Sequence, residues 1–112
     1  MVQAMKNNLG FWGKLNKPIM VLAPMADVTD CVFREIICKY GKPDVFWTEF
    51  VSADGLSHPE AREKLKIDLI YSEGERPIVA QLFGGRPENM RTAAMLCKEL
   101  GFSRRNHRPL GE

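Results

Sequence analysis

Three predominantly apolar runs, each followed by a predicted helix, dominate the pattern of hydrophobic and polar positions. The runs cover 19–23, 45–51 and 77–83. The first run is continuous rather than alternating, which predicts a strand buried on both faces, as in a parallel sheet. The second and third runs also predict strands, although Thr48, Glu49 and Gln81 interrupt them. The chain therefore reads as strand and helix in repeated alternation.

Cap and stop signals bound the helices between these strands. Thr29 is a candidate N-cap for a first helix, and Gly41 is its candidate stop. A short charged helix is predicted over 59–66, and a longer one begins at Pro87 and ends before Gly101. These positions complete three β/α units.

Alternating strands and helices predict an α/β fold in which the three strands are adjacent, parallel and joined by right-handed crossovers. Three such units do not close on themselves, so the sheet keeps one bare apolar face. We therefore expect the first three units of an incomplete barrel over residues 19–102. Residues 1–18 are expected to form an N-terminal extension, and 103–112 a tail foreign to the fold.

Composition limits the class of protein but does not identify a function. Hydrophobic residues make up 45% of the 112-residue chain and charged residues 27%, with a net charge of +2. No apolar run approaches the roughly 18 residues that span a membrane, and the N-terminus lacks a secretory pattern, so a cytoplasmic protein is expected. Three cysteines without a CxxC pair predict reduced thiols. Neither His58 nor His107 has a partner at metal-ligand spacing, so no metal is expected.

Candidate binding residues follow the strands, because the carboxyl ends of parallel strands meet at one edge of a barrel. Pro24 and Met25 close the first strand, and Thr48 with Glu49 lies near the end of the second. Gln81 lies inside the third apolar run, where an unpaired amide is costly to bury. Its donors and acceptor match the alternating edge of a flavin pyrimidine ring, although bonding to neighbouring backbone is an equal alternative.

Three segments together resemble the tRNA-dihydrouridine synthase family. They are APMADVTDCVFR from Ala23, TEFVSADGL from Thr48 and RPIVAQLFGGRPENM from Arg76. The first segment has relatives in other flavin barrels, whereas its combination with the other two is specific. The resemblance covers about 19–102.

This resemblance implies a (β/α)8 TIM barrel that binds FMN, is reduced by NADPH and reduces uridine in tRNA to 5,6-dihydrouridine. It also implies cofactor-binding positions. Pro24, Met25 and Ala26 would contact the FMN, and Gln81 would hydrogen-bond its ring.

The sequence departs from the family after Phe102. The family's catalytic acid is a cysteine in an N-M-G-C-P segment on the fourth strand, and that segment is absent here, as are the later basic residues that hold the flavin phosphate. We therefore assign no catalytic residue and expect an inactive N-terminal fragment. Codons for Arg104, Arg105 and Asn106 are compatible with Asp-Gly-Ile in the next frame, which favours a frameshift near Ser103.

Two alternatives stay open at this point. The chain is either the truncated synthase, or a non-enzymatic β/α fragment that needs a partner. A different FMN-dependent barrel, similar to dihydroorotate dehydrogenase, is a third reading, which the second and third segments disfavour. Oligomeric state and the uridine that is modified are not predicted.

Overall fold

The structure is a computed structural model that describes residues 9–102. Residues 1–8 and 103–112 lie outside this part, and with them the predicted tail and His107. The boundary between the predicted extension and the partial barrel stays a prediction.

Helices and strands alternate through the described residues, as the apolar pattern predicts. In chain order they are α1 (Cys31–Gly41), β1 (Phe46–Ser52), α2 (Ala53–Leu56), α3 (Pro59–Leu65), β2 (Ile78–Phe83) and α4 (Pro87–Glu99). Short 3-10 helices cover Gly10–Lys14, Lys66–Leu69 and Glu73–Glu75. None of the helices within 9–102 is long and apolar enough to cross a membrane.

The two strands β1 and β2 pair in parallel, which confirms a small parallel sheet. Phe46 pairs with Ile78 at one end and Ser52 with Phe83 at the other, with an irregularity between Trp47 and Phe50. The element order and this pairing agree with part of a β/α barrel, while a closed barrel is not present in the described residues.

The predicted first strand over 19–23 is wrong as a full strand. It forms one parallel bridge, between Val21 and Val45, supported by a 3.1 Å bond from the Leu22 amide to the Val45 carbonyl. Pro18 and Pro24 flank the segment and cannot donate to a ladder, which shortens the pairing. The bridge nevertheless places this segment beside β1, on the side opposite β2, in the predicted order.

One face of the sheet packs against helices. Val51 belongs to a buried cluster with residues of α2 and α4, and Ala80 and Leu82 of β2 pack against that cluster. Ala93 and Cys97 supply the buried side of α4. Leu100, which follows the helix, is 37% exposed.

Two predicted helix ends are shifted. Asp30, and not Thr29, is the N-cap of α1, because its carboxylate accepts a 2.8 Å bond from the Phe33 amide. Gly41 is the last residue of α1 instead of the residue after it. The short helix α2 was not predicted. It starts directly at the end of β1, where the Ser52 hydroxyl accepts a hydrogen bond from the Gly55 amide.

Candidate functional site at the carboxyl edge of the sheet

The turn after the first apolar segment is held by its own threonine. The Thr29 hydroxyl accepts a 2.9 Å bond from the Met25 amide and donates to the Met25 carbonyl. Pro24 is half-buried, Met25 is 43% exposed and Ala26 is exposed. The turn thus presents Met25 and Ala26 to solvent on a fixed backbone.

Asp27 lies in the left-handed region, with a φ of 64°. A non-glycine residue in that conformation needs external support. The support comes from Glu49, whose buried carboxylate accepts a 2.7 Å bond from the Asp27 amide. Glu49 therefore has a structural partner on the turn.

Thr48 connects β1 to Gln81. Its hydroxyl accepts a 3.0 Å bond from the backbone amide of Gln81 and donates a 2.9 Å bond to the Glu49 carbonyl. Thr48 is fully buried. The backbone of Gln81 is in this way fixed by a side chain of the neighbouring strand.

The side chain of Gln81 lies on the face of the sheet that is turned away from the helices. Its register partner is Phe50, and its neighbours Ala80 and Leu82 face the helical cluster, so alternation puts Gln81 opposite to them. Phe50 and Phe83 share its side, with ring centroids 5.1 Å apart. We call this surface, with Phe50, Gln81 and Phe83, the open face.

Gln81 is half-buried, and among residues 9–102 its backbone amide forms a hydrogen bond while its carboxamide forms none. The alternative, in which the carboxamide bonds to neighbouring backbone, is therefore not observed in the described part of the chain. The turn at Met25 and Gln81 flank β1 from its two sides, and Thr48 and Glu49 link them. These residues thus form one connected group, in which Thr48, Glu49 and Gln81 lie within their strands and not at the ends where they were predicted.

An acidic cleft of about 360 Å³ adjoins the turn. Its carboxylates come from Asp27, Asp30, Glu49 and Asp68. Burial raises the pKa of the Asp68 carboxyl, and the nearby negative charge of Asp27 raises it further. Within residues 9–102, no group of three or more His, Cys, Asp or Glu side chains is arranged to hold a metal ion.

The three cysteines have different surroundings. Cys97 is buried in α4, and burial raises the pKa of its thiol. Cys31 and Cys38 are half-buried on α1, and the Cys38 thiol donates to the Gly74 carbonyl at 3.3 Å. All three are free thiols on helices, as the sequence predicts.

Sequence reasoning missed the way in which this group is assembled. The left-handed Asp27 and the pairing of its amide with Glu49 depend on residues 22 positions apart, so no local pattern reveals them. The signal that was available is the Thr48-Glu49 pair itself, two polar residues inside an apolar strand.

Comparison with known proteins gives one consistent result. The family model described as "Dihydrouridine synthase (Dus)" matches residues 21–104. "Probable tRNA-dihydrouridine synthase 2" of Bacillus subtilis (strain 168) is 46% identical over 92 residues, which cover 82% of this chain and 28% of that protein. No solved structure matches the chain.

Staphylococcal proteins give a similar result. "Probable tRNA-dihydrouridine synthase" of Staphylococcus aureus (strain COL) is 42% identical over 98 residues, or 88% of this chain and 29% of the relative. The counterpart from Staphylococcus epidermidis (strain ATCC 12228) is 40% identical over the same shares. The chain thus spans less than a third of the length of these curated relatives. On the family match and these identities, the chain belongs to the dihydrouridine synthase family.

Proposed function

We propose that this chain supplies the ring-binding side of the FMN site of a flavin-dependent tRNA-dihydrouridine synthase. The observation that carries the proposal is the Gln81 carboxamide, which lies on the open face and forms no hydrogen bond to residues 9–102. The backbone amide of Gln81 is fixed by a hydrogen bond to Thr48, and the side-chain carboxamide stays available to a ligand.

The residues of the turn suit the same ligand. Met25 offers a polarizable side chain that is 43% exposed, and Ala26 leaves space for a flat ring to approach the backbone. Gln81 can donate to and accept from the edge of an isoalloxazine ring. In this proposal Pro24, Met25, Ala26 and Gln81 hold the flavin ring.

The reaction belongs to the same proposal. Bound FMN supplies hydride transfer, with NADPH as reductant and a uridine of tRNA as the acceptor. The chain's own residues orient the ring from one side and keep its edge hydrogen-bonded. A cytoplasmic location agrees with a tRNA substrate.

We further propose that the 112-residue polypeptide does not make dihydrouridine by itself. Proton transfer to the uracil needs an acid within hydrogen-bond reach of the base. Cys97 is enclosed in the helical cluster, and Cys31 and Cys38 lie on α1, so none of these thiols is on the open face.

A hybrid protein tests the assignment. Residues 21–102 of this chain replace the matching segment of the Bacillus subtilis relative, and flavin content is measured after purification. We expect the hybrid to carry FMN and to reduce uridine in unmodified tRNA with NADPH. Gln81→Leu should lower flavin content and shift the flavin absorption bands, since a ring hydrogen bond is lost.

Asn89→Ala is the matched control, because the Asn89 carboxamide already bonds to Asp54 at 2.8 Å. That substitution should leave flavin content unchanged. Equal flavin content in the hybrid and its Gln81→Leu variant would contradict the role of Gln81. A hybrid that folds without flavin, beside a flavin-loaded relative, would contradict the proposed function.

A further inference from the structure

The strand β1 contains one residue more than β2 in the middle of their pairing. Trp47 pairs with Val79 and Phe50 with Gln81, so Thr48 and Glu49 together stand opposite the single residue Ala80. This is a β-bulge, which bends a strand and redirects the side chains within it. Both bulge residues are buried, although both are polar.

Each bulge residue bonds to a different part of the group that the Met25 turn and Gln81 form. Thr48 accepts from the Gln81 amide on one side, at 3.0 Å. Glu49 accepts from the Asp27 amide on the other side, at 2.7 Å. The two bonds connect the turn that carries Met25 and the strand that carries Gln81 through adjacent residues.

The bulge also determines which face receives Gln81. A regular ladder from the Trp47–Val79 pair would set Gln81 opposite Glu49, whereas the extra residue sets it opposite Phe50. Side chains of paired residues share a face of the sheet. The bulge therefore places the aromatic ring of Phe50, and not a carboxylate, beside the Gln81 carboxamide.

We propose that Thr48 and Glu49 are positioning residues of the flavin-ring site, Thr48 for Gln81 and Glu49 for the turn at Met25 to Asp27. This inference rests on the proposed function, since FMN is the ligand that the site takes. The two residues act through hydrogen bonds to backbone amides and do not touch the ring. Their replacement should displace the ring contacts without removing any of them.

Conservative variants distinguish a positioning role of these two residues from a general effect on the stability of the chain. Thr48→Val keeps the shape of the side chain and removes the acceptor, while Thr48→Ser keeps the hydroxyl. Glu49→Ala removes the acceptor for Asp27, while Glu49→Gln keeps a carbonyl oxygen at the same reach. We expect FMN binding to be weaker in Thr48→Val and Glu49→Ala. In Thr48→Ser and Glu49→Gln we expect binding close to that of the unchanged chain.

The experiment uses the full 112-residue chain, labelled with ¹⁵N, and follows two NMR readouts. The first is hydrogen exchange of the Gln81 and Asp27 amides without ligand. The second is the response of the Gln81 side-chain amide signals to added FMN. We expect Thr48→Val to speed exchange at Gln81 about tenfold and to weaken the FMN response about tenfold, as the loss of one hydrogen bond allows.

The two readouts distinguish the failure of this inference from that of the proposed function. A normal FMN response in Thr48→Val and Glu49→Ala would overturn the positioning roles alone. An equal loss of the FMN response in Thr48→Ser and Thr48→Val would also overturn the positioning roles, because the hydroxyl would then make no contribution. A wild-type chain whose signals do not respond to FMN would overturn the proposed function, and this inference with it.

Discussion

The guanidinium of Arg34 lies 2.6 Å from the carboxylate of Glu75, and both side chains are enclosed to 99% or more. Arg34 also donates to the carbonyls of Thr29 and Ile70, and the second Glu75 oxygen accepts from the Ser72 amide. The pair thereby joins α1 and the end of the Met25 turn to the segment before β2. It is a scaffold for the site and does not take part in it.

Removing Arg34 should be strongly destabilising, because a buried carboxylate would lose its charged partner. Breaking such a pair costs about 3–5 kcal/mol. We expect Arg34→Met to raise hydrogen-exchange rates in α1 at least about a hundredfold. Lys66→Met is the control, since the Lys66–Glu63 pair is exposed and contributes at most about 1 kcal/mol. Equal exchange in the two variants would contradict a structural role for the buried pair.

The open face should make the isolated chain associate with itself. Phe50 is 50% exposed and Phe83 48%, and their rings adjoin on the two-stranded sheet that residues 9–102 form. Exposed apolar surface beside the unpaired edge of a sheet favours association between molecules. We expect concentration-dependent oligomers in sedimentation velocity, reduced by Phe50→Ser and not by Tyr40→Ser on α1. A monomer with a sharp two-state thermal transition would contradict this expectation.

Cys97 should be the least reactive thiol of the chain. It is 6% exposed, and burial raises its pKa, so little thiolate forms near neutral pH. We expect iodoacetamide at pH 8 to modify Cys31 and Cys38 first, with peptide mass spectrometry as the measurement. Cys97 modified as fast as Cys38 in the native chain would show that α4 is not packed as described.

Asp68 should make the chain more stable when its carboxyl is neutral. Burial and then Asp27 raise its pKa in the folded state above the usual 3.8. A raised acid pKa favours the protonated folded state, so the stability cost grows as pH rises from the unfolded towards the folded pKa. Asp68→Asn should therefore slow hydrogen exchange at pH 7 and have little effect below about pH 3.8. The same effect at both pH values would contradict this assignment.

Much of this architecture follows from local patterns. The apolar run over 77–83 predicts β2 to within one residue, and Pro87 marks the first residue of α4. Strand and helix identity depends on spacing, which a sequence carries directly. The turn at Pro24 and Met25 follows from the same alternation, whereas Gln81 lies within β2 and not at its carboxyl end.

The remaining features depend on contacts between distant residues. The run over 19–23 reads as a strand, yet its flanking prolines and its single neighbour within the described residues leave one bridge. The bulge at Thr48 is visible only in the register against β2. Arg34 sits in a helix pattern as an ordinary polar residue, and its burial depends on Glu75, 41 positions away.

Catalysis by the chain alone should be absent. With NADPH, added FMN and unmodified tRNA, we expect no dihydrouridine, because none of Cys31, Cys38 and Cys97 lies on the open face. Mass spectrometry of digested tRNA measures the product, and the Bacillus subtilis relative serves as the positive control. Any dihydrouridine formed by the chain above a no-protein control would contradict the expected inactivity.

The most direct test of the central claim compares riboflavin with FMN as ligands of the 112-residue chain, at equal concentrations. Pro24, Met25, Ala26 and Gln81 are proposed to contact the ring alone, so the phosphate should add little. Equilibrium dialysis should give equal and weak binding, with dissociation constants of about 1 mM, equivalent to about −4 kcal/mol. FMN bound a hundredfold more tightly than riboflavin, or no binding of either, would contradict the claim.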